Sequence, residues 1–315
     1  MTIEQVTIEQ RIEAVFEAAG ARGFLYAREV GVPDAPEVCV NADDGVVLAS
    51  VFKVVEAVAY ARAVDAGELD PTERTTITAR YRIGGIGTAG CADDVQMSWR
   101  DVALTMLVMS DNAATDVLYH RLGQPAIDRV IADLGLSRTQ LIGCCEDLFA
   151  SIFADLGAEP GDVDEVLDAA APEEVWKLAA LDPSRTSSST PRDIARLLDA
   201  IWTDTAASPE GCRTVRDIMA RQIWPHRLSS GFPADVAVAA KTGTLPAVRN
   251  ECGVVTYPDG RQYAVAVFTR AHSLADRLPQ VDAAIGTAGR LAVEHLRTLD
   301  QANLTTQPAQ LGGSR

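Results

Sequence analysis

Lysine is scarce in this chain of 315 residues, which has 25 arginines but lysine only at positions 53, 177 and 241. Aromatic residues make up 5% of the chain. No window approaches the roughly 18 apolar residues that a membrane-spanning helix needs. Basic side chains are outnumbered by 44 acidic ones, which gives a formal net charge of −16. So acidic a surface argues against nucleic acids and membranes as partners.

The rest of the composition is that of a folded protein. Apolar residues make up 47% of the chain and charged residues 23%, enough for one large domain or two smaller ones with a real core. The first ten residues have neither the basic start nor the apolar stretch of a secretory signal. The chain as written is therefore expected in the cytoplasm. A periplasmic or secreted location is the alternative if a leader has been removed.

Six cysteines are scattered through a chain too long to need disulfide staples, and none has the spacing of a zinc site. We therefore expect buried free thiols, no metal and no cofactor. The adjacent pair Cys144 and Cys145 is the one unusual feature. The four histidines are isolated along the chain and are expected to be surface or packing residues: His120, His226, His272 and His295.

Helical and strand-like periodicities follow one another in a definite order. The predicted helices cover 3–20, 50–67, 98–109, 112–122, a stretch including 129–134, 191–202 and 283–299, and the predicted strands cover 24–30, 38–40, 236–240, 253–257 and 263–269. This order predicts an α/β fold, with one antiparallel sheet flanked by helices and built from both ends of the chain. Residues 1–48 and 188–300 would form the α/β lobe and 49–187 an inserted all-helical lobe, with a loose tail over 301–315.

The segment Ser50-Val51-Phe52-Lys53 opens the second predicted helix. Residues three apart share a helix face, so Lys53 is expected beside Ser50. A serine becomes a useful nucleophile only with an adjacent base, and a desolvated lysine, unlike arginine, can release its proton. The positive end of the helix helps to stabilise an oxyanion. One such Ser-x-x-Lys pair is expected by chance in a chain this long, so it needs support.

Two further patterns supply that support. Ser110-Asp111-Asn112 joins two predicted helices, where a hydroxyl and an amide can face a cleft, although alone it indicates a helix cap. Lys241-Thr242-Gly243 follows the predicted strand 236–240, and glycine there lets a ligand or loop approach the strand backbone.

Together and in this order, the three patterns resemble the Ser-x-x-Lys, Ser-Asp-Asn and Lys-Thr-Gly set of class A β-lactamases and penicillin-binding proteins. Further similar segments occur in family order at 67–70, 99–104, 109–114, 134–136 and 190–193, so the resemblance spans roughly residues 3 to 299. It implies the β-lactamase/transpeptidase-like fold and acyl transfer through a serine acyl-enzyme. The implied substrate is a small molecule with an amide or ester and a carboxylate.

The resemblance also implies a role for each matching residue. Ser50 would be the acylated nucleophile, and Lys53 would take its proton directly or through water. Ser110 would relay a proton to the leaving group. Lys241 would lower the potential around Ser110 and the substrate anion.

The expected substrate contacts come from the same segments. Asn112 would hold the substrate's side-chain amide. The backbone N–H groups of Ser50 and Thr244 would form the oxyanion hole, beside Thr242 and Gly243. Arg249 is a candidate to bind the substrate carboxylate bidentately, and a plain surface arginine on a strand is the equally weighted alternative.

The resemblance fails at one catalytic position. Class A β-lactamases release the acyl group with a glutamate in a Glu-x-x-Leu-Asn pattern, and this sequence lacks that pattern. Alignment by eye places Cys145 where the glutamate belongs, with Glu146 one position late and Gly143 in place of the usual arginine. Glu146 remains a candidate base if the backbone is re-registered. The enlarged loop, residues 143–186, is longer than its family counterpart by some two dozen residues, and we predict that it forms a helical lid.

Three classes of function therefore stay open. The leading one is β-lactamase-like hydrolysis, and the second is a cytoplasmic esterase, amidase or acyltransferase acting on a metabolite. The third is a penicillin-binding homologue that keeps the pocket with weakened turnover. A dinucleotide site at Gly85-x-Gly87-x-x-Gly90 is rejected, because no helix start within a βαβ unit follows it. The oligomeric state is not predicted.

Overall fold

The computed structural model describes the backbone of residues 6–306 and the side chains of residues 6–299. The helices in this range are α1 (Ile8–Ala18), α2 (Lys53–Asp65), α3 (Trp99–Val108), α4 (Asn112–Leu122), α5 (Gln124–Asp133), α6 (Cys145–Leu156), α7 (Val163–Ala169), α8 (Pro172–Val175), α9 (Pro191–Trp202), α10 (Pro209–Met219) and α11 (Pro279–Thr306). The strands are β1 (Ala21–Glu29), β2 (Glu37–Val40), β3 (Val46–Val47), β4 (Arg74–Ile77), β5 (Val95–Ser98), β6 (Ser188–Ser189), β7 (Ala237–Leu245), β8 (Val248–Thr256) and β9 (Gln262–Ala271).

Five strands form an antiparallel sheet in the order β2-β1-β9-β8-β7. The first two strands come from the N-terminal part of the chain and the other three from its C-terminal part. The predicted α/β fold, with one sheet built from both ends of the chain, is therefore confirmed. Strand β7 lies at one edge, so one side of its backbone is free of strand neighbours.

Each face of the sheet is covered by helices. On one face α1 and α11 pack through apolar side chains such as Ile12, Phe16 and Ile285. On the other face a larger core joins the sheet to α2, α9 and α10. The predicted division assigned 191–202 to the α/β lobe, yet α9 packs on the sheet and on α10, and α10 packs on α2 as well as on the sheet. The two lobes therefore share one continuous core.

The main differences from the predicted elements lie at the C-terminal strands. β7 continues to Leu245 rather than ending at residue 240, and β8 begins at Val248 rather than at residue 253. Lys241 to Gly243 therefore lie inside a strand rather than after it. The sequence analysis did not find α10, and α11 continues to Thr306, past the start of the predicted loose tail. Residues 307–315 of that tail lie outside the described residues. None of the described helices is long and apolar enough to cross a membrane.

The enlarged loop is helical over much of its length, as predicted, with α6, α7 and α8 in succession. Its apolar side chains form a separate cluster with Ala49 and Val248, and members of that cluster from the loop include Ile152, Phe153 and Val175. This cluster fixes the loop against the turn that bears Ser50 and against strand β8. The loop is thus packed beside the predicted site.

Candidate active site

Ser50 lies on a 3₁₀ turn, Ala49–Phe52, immediately before α2. Ala49 has a φ of 45°, a left-handed conformation that is strained for a residue with a side chain. The buried amide of Asn250 on β8 holds the preceding chain, since its Nδ2 donates to the carbonyls of Val47 at 2.8 Å and Leu48 at 3.3 Å. The core of the sheet therefore fixes the backbone that presents Ser50.

Two buried lysines converge on the hydroxyl of Ser110. Lys53 Nζ donates to Ser110 Oγ at 3.3 Å and to Ser110 O at 2.8 Å, and Lys241 Nζ donates to Ser110 Oγ at 3.0 Å. Neither lysine is exposed to solvent. Burial lowers the pKa of Lys241 well below its ordinary value, and the nearby charge of Lys53 lowers it further. Two ammonium groups this close and this dry favour the loss of a proton from one of them.

Ser110 has a φ of 65°, so its backbone is also in the left-handed region. The neighbouring Asp111 holds it there. The fully buried carboxylate of Asp111 accepts from Thr88 N at 2.6 Å and Thr88 Oγ1 at 2.7 Å, and it caps α4 through Ala114 N at 3.1 Å. The interpretation of this triplet as a helix cap is correct for Asp111, while Ser110 is left free to face the two lysines.

Gly243 allows β7 to approach the turn that bears Ser50. A Cβ at this position would lie 2.6 Å from the carbonyl oxygen of Leu48 and 3.3 Å from the Cβ of Ala49. The expected close approach of a loop to the strand at this glycine is therefore present.

The free edge of β7 lies on the side of the strand away from β8. Thr242 N donates outward, to Gln222 Oε1 at 2.8 Å, and strand geometry gives the N–H two residues further the same direction. The N–H of Thr244 therefore points to the open edge of the sheet, towards the side where a carbonyl oxygen above Ser50 would lie.

Cys145, which alignment by eye places at the position of the missing glutamate, lies beside Asn112. Its Sγ lies 3.5 Å from Asn112 Oδ1, the same oxygen that accepts from Lys53 Nζ at 2.8 Å. Asp116 fixes this backbone, because its carboxylate accepts from Cys145 N at 2.8 Å and from Glu146 N at 2.9 Å. The Cys145 thiol is buried, which raises its pKa well above the ordinary value. A neutral thiol thus stands beside Asn112 and Lys53.

Glu146 is not brought to the lysines. Its carboxylate is about half exposed and lies 3.6 Å from His120 Nε2 on α4. Donor atoms of His120, Cys144 and Glu146 all lie within 4.8 Å of one another, so the fold creates a group that can bind a metal. Burial raises the pKa of the Cys144 thiol, with Asp116 adding to the effect. The protonated thiol is a poor metal ligand.

Arg249 lines the cleft but is committed to main-chain acceptors. Its guanidinium donates to the carbonyls of Leu245 and Val248, each at 2.9 Å, and of Asp276 at 2.7 Å. A second arginine, Arg227, was missed by the sequence analysis. It is buried and donates to Thr244 Oγ1 at 2.9 Å. Arg227 therefore places a positive charge directly behind the hydroxyl of Thr244.

A buried carboxylate, Glu251, supports this strand from behind. It accepts from Gln222 Nε2 at 2.5 Å and from the backbone N–H of Leu228, next to Arg227. Burial raises its pKa to about 7, while these two donors and the charge of Arg227 act in the opposite direction. Through Gln222 it is connected to the Thr242 N–H. Glu251 thus connects the backbone next to Arg227 with Gln222, and through Gln222 with the N–H of Thr242 on β7.

Glu56, one turn after Lys53, is a second residue that the sequence analysis missed. Its side chain is fully buried, and within the part of the chain that the structure describes neither carboxylate oxygen has a hydrogen-bond partner. Burial raises its pKa well above the ordinary value, the charge of Asp116 raises it further, and that of Lys53 lowers it. Its position on an otherwise apolar stretch of α2 is the signal that could have found it.

Replacement of Glu56 by glutamine tests this burial through the pH dependence of stability. The folded-state pKa is raised, so above the ordinary glutamate pKa the unfolded chain has lost a proton that the folded chain keeps. The free energy of unfolding of the wild type should then fall, relative to Glu56→Gln, by about 1.4 kcal/mol per pH unit until the folded-state pKa is reached. Urea titrations between pH 5 and 8 measure the difference. The exposed Glu13→Gln on α1 is the control, and parallel profiles for wild type and Glu56→Gln would contradict the prediction.

A cleft of about 640 Å³ opens beside these groups. Asn112, Thr244 and Arg249 line one part of it. The opposite wall comes from the enlarged loop, with side chains of α6, α7 and α8. Three carboxylates also line it: Asp164, Asp168 and Asp276. Its volume suits a small-molecule ligand.

The antiparallel sheet, the helical lobe and the group of Ser50, Lys53, Ser110 and Lys241 define a protein of the β-lactamase/transpeptidase fold. The model of the β-lactamase enzyme family matches residues 7–296, so the chain belongs to this family.

Two relatives are distant in sequence but extend over most of the chain. The β-lactamase regulatory protein BlaB of Streptomyces cacaoi is 26% identical over 300 residues, covering 88% of this chain and 94% of BlaB. The carbapenem-hydrolysing β-lactamase KPC of Klebsiella oxytoca is 28% identical over 290 residues, covering 86% and 83%.

Solved structures agree in fold. A β-lactamase from Sphaerobacter thermophilus aligns with a TM-score of 0.73 and 26% identity, over 92% of this chain and 97% of that one. PBP-A aligns with the same TM-score and 22% identity, over 92% and 96%. A point mutant of PBP-A was solved as an acyl-enzyme complex with penicillin G.

Proposed function

We propose that this protein is a serine acyl-transfer enzyme, which reacts with β-lactams or related amides and esters by acylation of Ser50 and releases the acyl group slowly. The observation that carries the proposal is the convergence of Lys53 and Lys241 on Ser110, with Cys145 in place of the usual carboxylate. Family membership supports the hydrolase class. The formation and the lifetime of the acyl-enzyme are what is proposed beyond that class.

Acylation begins with proton transfer from Ser50. Lys53, with its own proton released, accepts the proton of Ser50 as Oγ forms a bond to the substrate carbonyl carbon. The N–H groups of Ser50 and Thr244 stabilise the oxyanion that develops. The C–N or C–O bond then breaks, and Ser110 passes a proton to the leaving nitrogen or oxygen. Ser110 regains it from Lys53, which took the proton from Ser50. Lys241 holds the Ser110 hydroxyl through the hydrogen bond from its Nζ.

Release of the acyl group needs a base for water. Glu146 lies at the surface with His120, and the Cys145 thiol is held neutral by burial. A general base must be deprotonated and must lie within hydrogen-bond reach of its water. The Cys145 thiol fails the first condition, and Glu146 fails the second. We therefore expect hydrolysis to lag far behind acylation.

The substrate carboxylate is proposed to bind at the edge of β7. The hydroxyls of Thr242 and Thr244 can donate to it, and the buried guanidinium of Arg227, which is paired with Asp282 at 2.6 Å, lies directly behind Thr244. Arg249, whose donors serve main-chain carbonyls, contributes long-range charge rather than a bidentate contact. Asn112 is proposed to hold a side-chain amide of the substrate, as the resemblance implies.

A metabolite esterase, amidase or acyltransferase is the second candidate. The observation that favours it is the wall of the cleft formed by α6 to α8, which reshapes the space available to the substrate. Turnover of simple esters without β-lactam acylation would select this candidate. In either case Ser50 would be the nucleophile.

The test is the intact mass of the protein after brief exposure to penicillin G and to nitrocefin. We expect a covalent adduct on the wild type that persists for many minutes and is absent from Ser50→Ala. An adduct that disappears within seconds would show an efficient deacylation base and overturn the slow-release part of the proposal. An adduct that survives in Ser50→Ala, or no adduct together with no ester turnover, would overturn the assignment of Ser50.

A further inference from the structure

A second cavity, of about 410 Å³, lies over the sheet strands β1, β8 and β9. It is separate from the cleft of about 640 Å³ beside the Ser50 group (the Ser50 cleft). Phe24 and Phe268, which are cross-strand neighbours, form part of its apolar lining, together with Val248. Leu181 and Pro183 of the enlarged loop complete one side. The volume falls in the range of about 300–1,000 Å³ that small-molecule sites occupy.

Two arginines stand directly opposite each other in this cavity. Arg22 on β1 and Arg270 on β9 are partners in the antiparallel register, and both line the cavity. Like charges directly opposite on one face of a sheet are destabilising. Arg22 is compensated by Asp44, with Nη2 to Oδ2 at 2.7 Å. Arg270 has no such partner among the residues whose side chains the structure describes.

The guanidinium of Arg270 is half withdrawn from water and incompletely satisfied. Its Nη1 is buried and makes no hydrogen bond to any of the described side chains or backbone groups, while its Cζ lies 5.0 Å from the ring centre of Trp176, just after α8. Burial lowers the pKa of Arg270, and no acidic group raises it. A buried donor on a charged group without an acceptor is costly, so its retention needs a physical reason.

The other charges of the cavity do not supply the missing anion. Asp44 serves Arg22, and Asp43 accepts from Arg192 at 2.7 Å. Arg138 also lines the cavity, and no ion pair of its side chain is found within the described part of the chain. Arg270 therefore faces this partly apolar space without an acidic partner among the described side chains, while Arg138 has only the more distant charge of Asp43.

We propose that this cavity binds a small organic anion, a carboxylate joined to a compact apolar body. The carboxylate would accept from the guanidinium N–H groups of Arg270 other than the buried Nη1, with Arg138 adding charge. The apolar body would pack against Phe24, Phe268 and Val248. This site is distinct from the Ser50 cleft, and the proposal does not depend on the reaction at Ser50.

The site is separated from the Ser50 cleft by one strand. Asn250 lines the cavity, and its side-chain amide holds the carbonyls of Val47 and Leu48 just before Ser50. A binding experiment must therefore distinguish the two places, which a heavy-atom label on the ligand achieves.

The test uses benzoate as the probe, with benzamide as its neutral analogue and inorganic phosphate as an anion without an apolar body. Saturation-transfer NMR titrations with the wild type should show binding of benzoate at least about tenfold tighter than of either analogue. Arg270→Gln should weaken benzoate binding by at least about tenfold, and Arg138→Gln by a smaller factor. Arg213→Gln, on an exposed arginine paired with Glu210 on α10, should leave it unchanged.

Location is tested with 4-bromobenzoate in crystals of the full chain. The expected anomalous bromine peak lies against Phe24, Phe268 and Val248. A peak in the Ser50 cleft, or no peak together with no NMR binding, overturns the proposal. Equal affinity of benzoate for the wild type and for the arginine variants also overturns the proposal. Because Arg270→Gln and Arg138→Gln are measured separately, the test can still be made if one of them does not fold. Binding of phosphate as tight as that of benzoate would reject the apolar body.

Discussion

Methionine in place of Lys53 is expected to slow the acylation of Ser50 by about 10²–10⁴-fold, the usual contribution of a positioned general base. Methionine has nearly the same length and fills the same buried space, but it can neither accept the Ser50 proton nor donate to Ser110 and Asn112. The rate of adduct formation with penicillin G, followed by intact mass in a quenched time course, measures the effect.

Lys177 offers a matched control, because it is the one lysine outside the site and is exposed on the enlarged loop. Lys177→Met should acylate at the wild-type rate. Thermal unfolding followed by circular dichroism distinguishes a lost base from a lost fold in Lys53→Met. A correctly folded Lys53→Met that acylates within about threefold of the wild-type rate would remove Lys53 from the role of base, because a positioned base contributes far more than that.

Glutamate in place of Cys145 is expected to speed the release of the acyl group by about 10²-fold or more. Cys145 Sγ and Lys53 Nζ both donate to Asn112 Oδ1, so a carboxylate at position 145 would stand beside the lysine. We expect it to lie within hydrogen-bond reach of a water that attacks the Ser50 ester. Burial and the nearby carboxylate of Asp116 would raise the pKa of the new carboxyl towards neutrality, which suits a general base. Decay of the penicillin adduct and steady-state nitrocefin turnover measure the change.

The control is Cys145→Gln, which has the same shape as the glutamate variant and cannot act as a base. Both variants enlarge a buried side chain and are expected to lower stability to a similar degree. A difference in release rate between them therefore reports the carboxylate alone. If Cys145→Glu and Cys145→Gln release penicillin at the same rate, the absence of a carboxylate at this position is not what limits turnover.

Local patterns in the sequence predicted much of the fold because they depend on short-range periodicity. The helix over 191–202 was predicted with its observed bounds. Its start is set locally, because Pro191 occupies the first turn and the Thr190 side chain caps the helix by accepting from Asp193 N. The extents of β7 and β8 were not predicted, because their polar residues, such as Asn250 and Glu251, are buried and satisfied by tertiary partners.

The candidate site divides in the same way. The three segments with Ser50, Ser110 and Lys241 could be identified from their order alone, because the residue types state the chemistry. That Lys241 Nζ meets Ser110 Oγ across 131 positions is decided only when β7 packs against the helical lobe. The roles of Arg227 and Glu56 could not be read from spacing either, since isolated charges in a sequence do not show what they face.

The fold class, the family resemblance and the loss of the Glu-x-x-Leu-Asn pattern could all be read from the amino-acid sequence. Each depends on residue identity and order, which the chain states directly. Only the tertiary structure decided that Glu146 faces His120 at the surface, that Cys145 stands by Asn112, and that Arg270 is left without an acidic partner among the described side chains. The physical reason is that distance, burial and charge compensation arise between segments far apart in the chain, and packing alone sets them.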